Sequence, residues 1–210
     1  MMHLMEYLVA AVTGWLLGGL PWGYWIPRLV KGVDVRAVGS GNVGAANVAR
    51  AAGGRVALAV VALDIGKGVA AALIGEWAAG PMGAVVAGGA AMLGHWRPWA
   101  LGLRRGGKSV AVGGGALIAM APLASVCALA VWGLVFLIGR YSSLASLAGA
   151  VSAPILCVVF DAPLPVTLFA AAGSAAIILL HRANIGRLLS GTEHRFQFRG
   201  RTPRMGAEQV

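Results

Sequence analysis

Residues 38–47 read Val-Gly-Ser-Gly-Asn-Val-Gly-Ala-Ala-Asn, and Arg50 follows. Glycines at 39, 41 and 44, a hydroxyl, two amides and a cation lie close together between apolar segments. That composition suits an anion held by backbone N–H groups, so a phosphorylated ligand is expected here. A second stretch, Gly102-Leu-Arg-Arg-Gly-Gly107-Lys108-Ser109, formally fits the G-x-x-x-x-G-K-[ST] pattern of nucleotide-binding loops. Such a loop must follow a strand of a parallel sheet, whereas residues 82–96 are an Ala/Gly-rich apolar segment, so nucleotide hydrolysis is not expected. What survives is glycine backbone that admits a phosphate, a lysine charge, and the N-terminus of the next helix. A third polar run extends from His181 to Glu193, with His181 and Asn184 at helical spacing on one face.

The elements that must carry these stretches are membrane helices. Hydrophobic residues make up 59% of the 210 positions and charged residues 11%, with a mean hydropathy of +0.80. No soluble domain needs so much apolar surface to fill its core. The apolar runs are roughly 4–27, 56–76, 82–96, 110–121, 122–139, 144–160 and 164–181. A full span takes about 20 residues, so several of these predict half-length helices. Every Lys and Arg falls in 28–55, at Lys67, in 97–108, at Arg140 or in 182–204. The positive-inside rule places those segments in the cytoplasm and the N-terminus outside. Reading 110–139 as a re-entrant pair broken near Pro122 keeps Arg140 and the C-terminus on the cytoplasmic side. The expected fold is thus an all-α polytopic membrane protein of about seven transmembrane or half-length helices, forming a single domain over 1–210.

The remaining composition bounds less. A net charge of +10 is explained by topology and anionic membrane lipid, so no nucleic-acid partner is expected. Cys127 and Cys157 lie in apolar segments and show neither a disulfide framework nor metal spacing, and no metal is expected. The first segment lacks a basic flank and a cleavage site and reads as a retained span, while residues 195–210 read as a short basic tail.

Taken together, the polar blocks resemble the bacterial acyl-phosphate:glycerol-3-phosphate acyltransferase family, PlsY. The family's first motif is similar to Gly39-Ser40-Gly41-Asn42-Val43-Gly44-Ala45-Ala46-Asn47 with Arg50 three residues on. Its second is similar to Gly94-His95, Pro98 and Gly106-Gly107-Lys108-Ser109-Val110-Ala111-Val112, and its third to the run from His181 to Glu193. The likeness extends to Asp64-Ile-Gly-Lys67-Gly68 and Ser143-Leu-Ala-Ser146. Four positions depart from it: Ala46 and Val112 stand where Thr is usual, Ser109 where Gly is usual, and Ala183 where Glu is usual.

The resemblance implies transfer of a fatty acyl group from acyl phosphate to the 1-hydroxyl of glycerol 3-phosphate, giving lysophosphatidic acid. It implies no metal or other cofactor, and an active site at the cytoplasmic face of the bacterial inner membrane. An upstream enzyme that forms the acyl phosphate is a further expected partner. The expected catalytic residues are Ser40, Arg50, Lys108, His181 and Asn184. Gly41, Asn42, Asn47, Lys67, Gly106, Gly107, Ser109, Ser143, Arg182 and Glu193 are expected to bind substrate.

The residues support that reading independently. Other glycerolipid acyltransferases use His-x4-Asp, but Ala100 and Gly186 stand where His95 and His181 would need the Asp. A mixed anhydride has a good leaving group, so positioning and charge stabilisation suffice, with the donor phosphate or His181 as proton acceptor. Lys67 has two readings: it adds charge to the phosphate site, or it forms a packing ion pair with Asp64. Ser143 and Ser146 bond either substrate or a neighbouring helix. The Ser109 hydroxyl is read as a possible donor to phosphate. The rival function is a carrier or binder of an organic phosphate, which also uses broken helices and intramembrane charge.

Overall fold

The computed structural model describes residues 2–196; the part of the expected basic tail from 197 onward lies outside the described residues. Nine helices account for most of the described chain: α1 (Met2–Gly18), α2 (Trp22–Lys31), α3 (Ala45–Ala52), α4 (Gly54–Trp96), α5 (Val110–Met120), α6 (Pro122–Gly139), α7 (Ser142–Val159), α8 (Leu164–Leu180) and α9 (Arg182–Leu189). No strand occurs among the described residues, so the nucleotide-loop pattern at 102–109 has no sheet to stand on.

Glycine and proline set the breaks. The run expected over 4–27 divides at Gly19–Pro21, and the second piece, α2, ends at Gly32, which adopts the left-handed conformation at φ 67°. The runs 56–76 and 82–96 form the two arms of α4, interrupted at Ala79 and Gly80, where Gly80 has φ 66°. The arms fold back on each other: a Cβ on Gly75 would strike the backbone of Gly83, and the reverse also holds. The break expected near Pro122 falls between α5 and α6, with Ala121 non-helical at φ −147° and Pro122 starting α6, where its missing N–H leaves no partner unmet. The apolar runs omit α3 and α9, eight-residue helices too short to give a long run, although the spacing of His181 and Asn184 places those two on one helical face.

Four stretches among the described residues are long and apolar enough to cross a membrane: Leu4–Lys31, Gly54–Leu101, Pro122–Gly139 and Ser142–Val159. A fifth is added if α8 and α9, bent by 60°, count as one span. Their outward faces carry exposed Leu, Val and Ile, such as Leu8, Leu58, Leu134 and Val158. In lipid these chains gain nothing from helix association, so the bundle must be held by close packing of small residues. Gly14 and Gly18 of α1 lie on Ala87 and Ala91 of α4, and Gly68 of α4 lies on the Val112 carbonyl of α5. Ala71, Ala72, Ala84, Ala116, Phe169 and Ile177 continue this core. Val35, Val43, Val48, Val56 and Val60 form a second cluster beneath the first polar loop.

The close approach of α1 to α4 gives a direct test. Gly14→Val forces a side chain into the Ala87 backbone and is expected to destabilise the bundle by about 1–3 kcal/mol. Gly66→Ala on α4 faces open space and is expected to be neutral, or stabilising by about 0.5–1 kcal/mol. Thermal unfolding in detergent separates the two.

Candidate active site

The first polar loop is built around one amide. Asn47, buried on α3, gives its nitrogen to the carbonyls of Val35 at 2.8 Å, Val38 at 3.0 Å and Asn42 at 3.0 Å. Its oxygen accepts from Ser40 N at 3.2 Å and Arg50 Nη2 at 3.3 Å. Gly39 and Gly41 turn through φ 59° and 66°, values that favour glycine, and this places Ser40 between them. Asn42 accepts from Gly44 N at 2.7 Å and donates to the Gly106 carbonyl at 2.9 Å, joining the first loop to the second.

The second loop is anchored on the end of α4. Gly106 N donates to the Trp96 carbonyl at 2.9 Å and Gly107 N to the His95 carbonyl at 3.0 Å. Ser109 holds φ 62°, the left-handed region that explains why glycine suits this position. Its hydroxyl donates to the Met92 carbonyl at 2.7 Å, so the donor expected for phosphate is committed to the turn that carries Lys108.

The third run closes the site. His181 lies between α8 and α9 and is buried, with Nδ1 2.8 Å from the Ile177 carbonyl. A carbonyl only accepts, so Nδ1 carries the proton and Nε2 is the acceptor of the neutral ring. Lys108 donates to the Asn184 oxygen, and Asn184 donates to Glu193 Oε1 at 2.7 Å. Ser143 of α7 donates to the same oxygen at 2.9 Å, and Arg187 Nε donates to Oε2 at 2.6 Å. Arg187 was missed in the sequence; its place one turn beyond Asn184, ahead of a lone glutamate, was the available signal.

These groups meet at one cavity of about 350 Å³. Ser40, Asn42, Asn47, Arg50, Lys108, Ser109, Ser143, His181, Asn184 and Glu193 all line it, together with Arg187. Leu117, Leu129, Phe169 and Ile177 line its apolar part. Gly41, Gly106 and Gly107 shape the loops without lining the cavity, and Arg182 is exposed, with Nη1 3.4 Å from the Leu179 carbonyl. Lys67 is turned away from the lining and packs against Asp64, with 2.9 Å from Nζ to Oδ1. Ser146 donates to the Ser142 carbonyl of its own helix at 2.8 Å and receives Trp132 Nε1 at 3.3 Å. Among the described residues no group of three His, Cys, Asp or Glu side chains is placed to hold a metal.

The electrostatics favour an anion. Burial pushes the Lys108 ammonium down to about 8, with Glu193 opposing and the Arg187, Arg105 and Arg50 charges adding to the fall. Burial lowers Arg50 as well, against the pull of Glu193, yet a guanidinium stays charged. Burial pushes the Glu193 carboxyl up, but hydrogen bonds from Asn184, Ser143 and Arg187 outweigh it and hold it below its ordinary value. The glutamate therefore remains an anion that organises donors, while Arg50 and Lys108 supply net positive charge at the mouth.

The fold and the site define an all-helical integral membrane protein with a cationic pocket opening onto an apolar cavity. Residues 8–191 match the family described as glycerol-3-phosphate acyltransferase. A glycerol-3-phosphate acyltransferase of Synechococcus sp. (strain JA-3-3Ab) is 45% identical over 191 residues, covering 91% of this chain and 94% of the relative. Glycerol-3-phosphate acyltransferase 2 of Moorella thermoacetica is 43% identical, covering 90% and 97%. The crystal structure of PlsY (YgiH), an integral membrane glycerol 3-phosphate acyltransferase in its glycerol 3-phosphate form, superposes with a TM-score of 0.86 at 41% identity, covering 91% of this chain and 96% of that one. Its lysophosphatidic acid form gives a TM-score of 0.83 at 40% identity, covering 91% and 95%. The chain belongs to the PlsY family of glycerol-3-phosphate acyltransferases.

The Lys108 environment predicts how anion binding varies with pH. The protonated form is the one that attracts phosphate, and it is lost as pH rises through about 8. Affinity for inorganic phosphate is expected to fall above that value. Lys108→Arg, which stays charged, is expected to flatten the fall. Equilibrium phosphate binding between pH 7 and 10, with Lys108→Met as the uncharged control, checks both.

Proposed function

We propose that the chain transfers a fatty acyl group from acyl phosphate to the 1-hydroxyl of glycerol 3-phosphate. The products are lysophosphatidic acid and inorganic phosphate. The observation that supports this best is the meeting of Arg50, Lys108 and Arg187, from three different segments, at one end of a cavity with an apolar remainder. Two phosphorylated substrates need such cations, and an acyl tail needs the apolar part.

In this reading the hydroxyl oxygen attacks the acyl carbon, and the bond from that carbon to the phosphate oxygen breaks. The phosphate departs with the bonding electrons. The hydroxyl proton passes to the departing phosphate or to His181 Nε2, the neutral ring's acceptor. Lys108 and Arg50 stabilise the charge that develops on the leaving phosphate, while Ser40 and Asn184 orient the reactants. No step calls on a metal or cofactor. Acyl phosphate is a reactive mixed anhydride, so an enzyme that forms it must act upstream.

The proposed setting is the bacterial inner membrane, with the N-terminus outside and the three loops at the cytoplasmic face. A Cys placed at Ala46 is expected to resist a membrane-impermeant reagent in intact cells and to react after permeabilisation. Labelling from outside would contradict the orientation.

Donor choice is the functional test. Purified protein in detergent is expected to form lysophosphatidic acid rapidly from acyl phosphate and glycerol 3-phosphate, and slowly if at all from acyl-CoA or acyl carrier protein. Turnover without a sealed compartment distinguishes an enzyme from a carrier, and equal or faster turnover with acyl-CoA would overturn the donor assignment. Lys108→Ala is expected to lose about 2–4 kcal/mol of transition-state stabilisation, read as kcat/KM.

A further inference from the structure

Asp64, Lys67 and His95 lie on the two arms of α4 and are nearly inaccessible, with side chains 4%, 3% and 7% exposed. The Lys67 ammonium has three neighbours: Asp64 Oδ1 at 2.9 Å, the Leu20 carbonyl at 2.8 Å and His95 Nδ1 at 2.9 Å. Two of its protons go to the Leu20 carbonyl and the His95 ring, and the ion pair with Asp64 takes up the remaining side, so the ammonium is directed into the protein rather than at a ligand. Lys67 does not line the cavity, although Asp64 and His95 do. Charged groups in a spanning helix are costly and persist where they serve a purpose.

The purpose lies one layer up. The His95 ring abuts Gly107 so closely that a Cβ there would overlap Nε2, and the His95 carbonyl takes the Gly107 N–H at 3.0 Å. Trp96 holds Gly106 N, and Asn42 holds the Gly106 carbonyl. The two glycines are thus gripped from three sides immediately before Lys108. The ring itself is held by Lys67, which in turn is held by Asp64 and by the carbonyl at the break between α1 and α2.

We propose that His95, held in place by the Lys67–Asp64 pair, is a positioning residue that sets the Gly106–Lys108 loop so that Lys108 meets the substrate phosphate. The inference rests on the acyltransfer reading and reassigns Lys67 from phosphate ligand to support. Misplacing a catalytic group by about 1 Å costs up to about a hundredfold in rate, so the ring's position matters through the loop it supports.

The test is a double-mutant cycle of His95→Ala and Gly107→Ala in the full-length detergent-purified protein. Each single change is expected to lower kcat/KM about tenfold to a hundredfold, chiefly by raising KM for glycerol 3-phosphate. In the combined variant the shortened side chain makes room for the new methyl, so the loss is smaller than the product of the two. The alkaline limb of the pH profile is also expected to rise in His95→Ala, because Lys108 leaves its buried seat. The groups facing Lys108, namely Arg50, Arg105, Arg187, Glu193 and His181, are unchanged in all four proteins.

Losses that simply multiply would overturn the proposal. So would a lower thermal midpoint and lower active fraction with KM and the pH limb unmoved, which is the signature of a purely structural role. If the wild-type protein makes no lysophosphatidic acid, the acyltransfer reading fails separately. Inorganic phosphate binding by the same four proteins then decides the positioning claim by the same criterion of non-additivity.

Discussion

Asn184 takes a hydrogen bond from Lys108 on its oxygen and gives one to Glu193 from its nitrogen, so one buried amide joins opposite sides of the bundle. Lys108 belongs to the turn that follows α4, while Glu193 gathers α7 through Ser143 and α9 through Arg187. Helices in lipid are not pressed together by the hydrophobic effect, and α8 meets α4 where Phe169 lies against Gly88 and Met92 against Gly173. The polar chain therefore fixes the distance across the mouth of the cavity. It also fixes the protonation logic: Glu193 stays ionised because three donors serve it, and its charge opposes the loss of the Lys108 proton.

The division of the cavity follows from the same arrangement. Loops and helix ends bring Ser40, Arg50, Lys108 and His181 to the cavity, and helix interiors bring apolar side chains such as Leu117, Leu129 and Phe169. The proposed reaction, between a water-soluble phosphate ester and a lipid-soluble acyl donor, needs such a boundary. Much of the polar machinery supports backbone: Asn47 serves three carbonyls, and the Ser109 hydroxyl serves Met92. In the proposed reaction the side chains that meet the substrates are the cations, Ser40, Asn184 and the His181 acceptor.

The three loops were legible because their glycines, amides and cations interrupt apolar sequence at positions where lipid tolerates no such residues. The breaks at Pro21, Gly80 and Pro122 follow from the same reasoning, although only the last was assigned as a break within a continuous run. Helix α3 was not legible, since eight residues interrupted by Asn47 and Arg50 give no long hydropathy run, and of α9 only the shared face of His181 and Asn184 could be read. Arg187 was hidden because its meaning depends on Glu193 folding back over α9. The role of Lys67 was ambiguous at the level of spacing: i, i+3 allows the pair with Asp64 but does not say that the α4 hairpin brings His95 to the same nitrogen.

The central claim is that Asn184 and Lys108 together build the phosphate site across the bundle. Equilibrium binding of glycerol 3-phosphate to purified wild-type and Asn184→Ala protein, with no acyl donor present, tests it most directly. The wild type should bind saturably. The variant should bind about tenfold more weakly or worse, since a hydrogen bond to a charged group is worth about 1.5–3 kcal/mol. Equal affinity in two equally folded proteins would contradict the account.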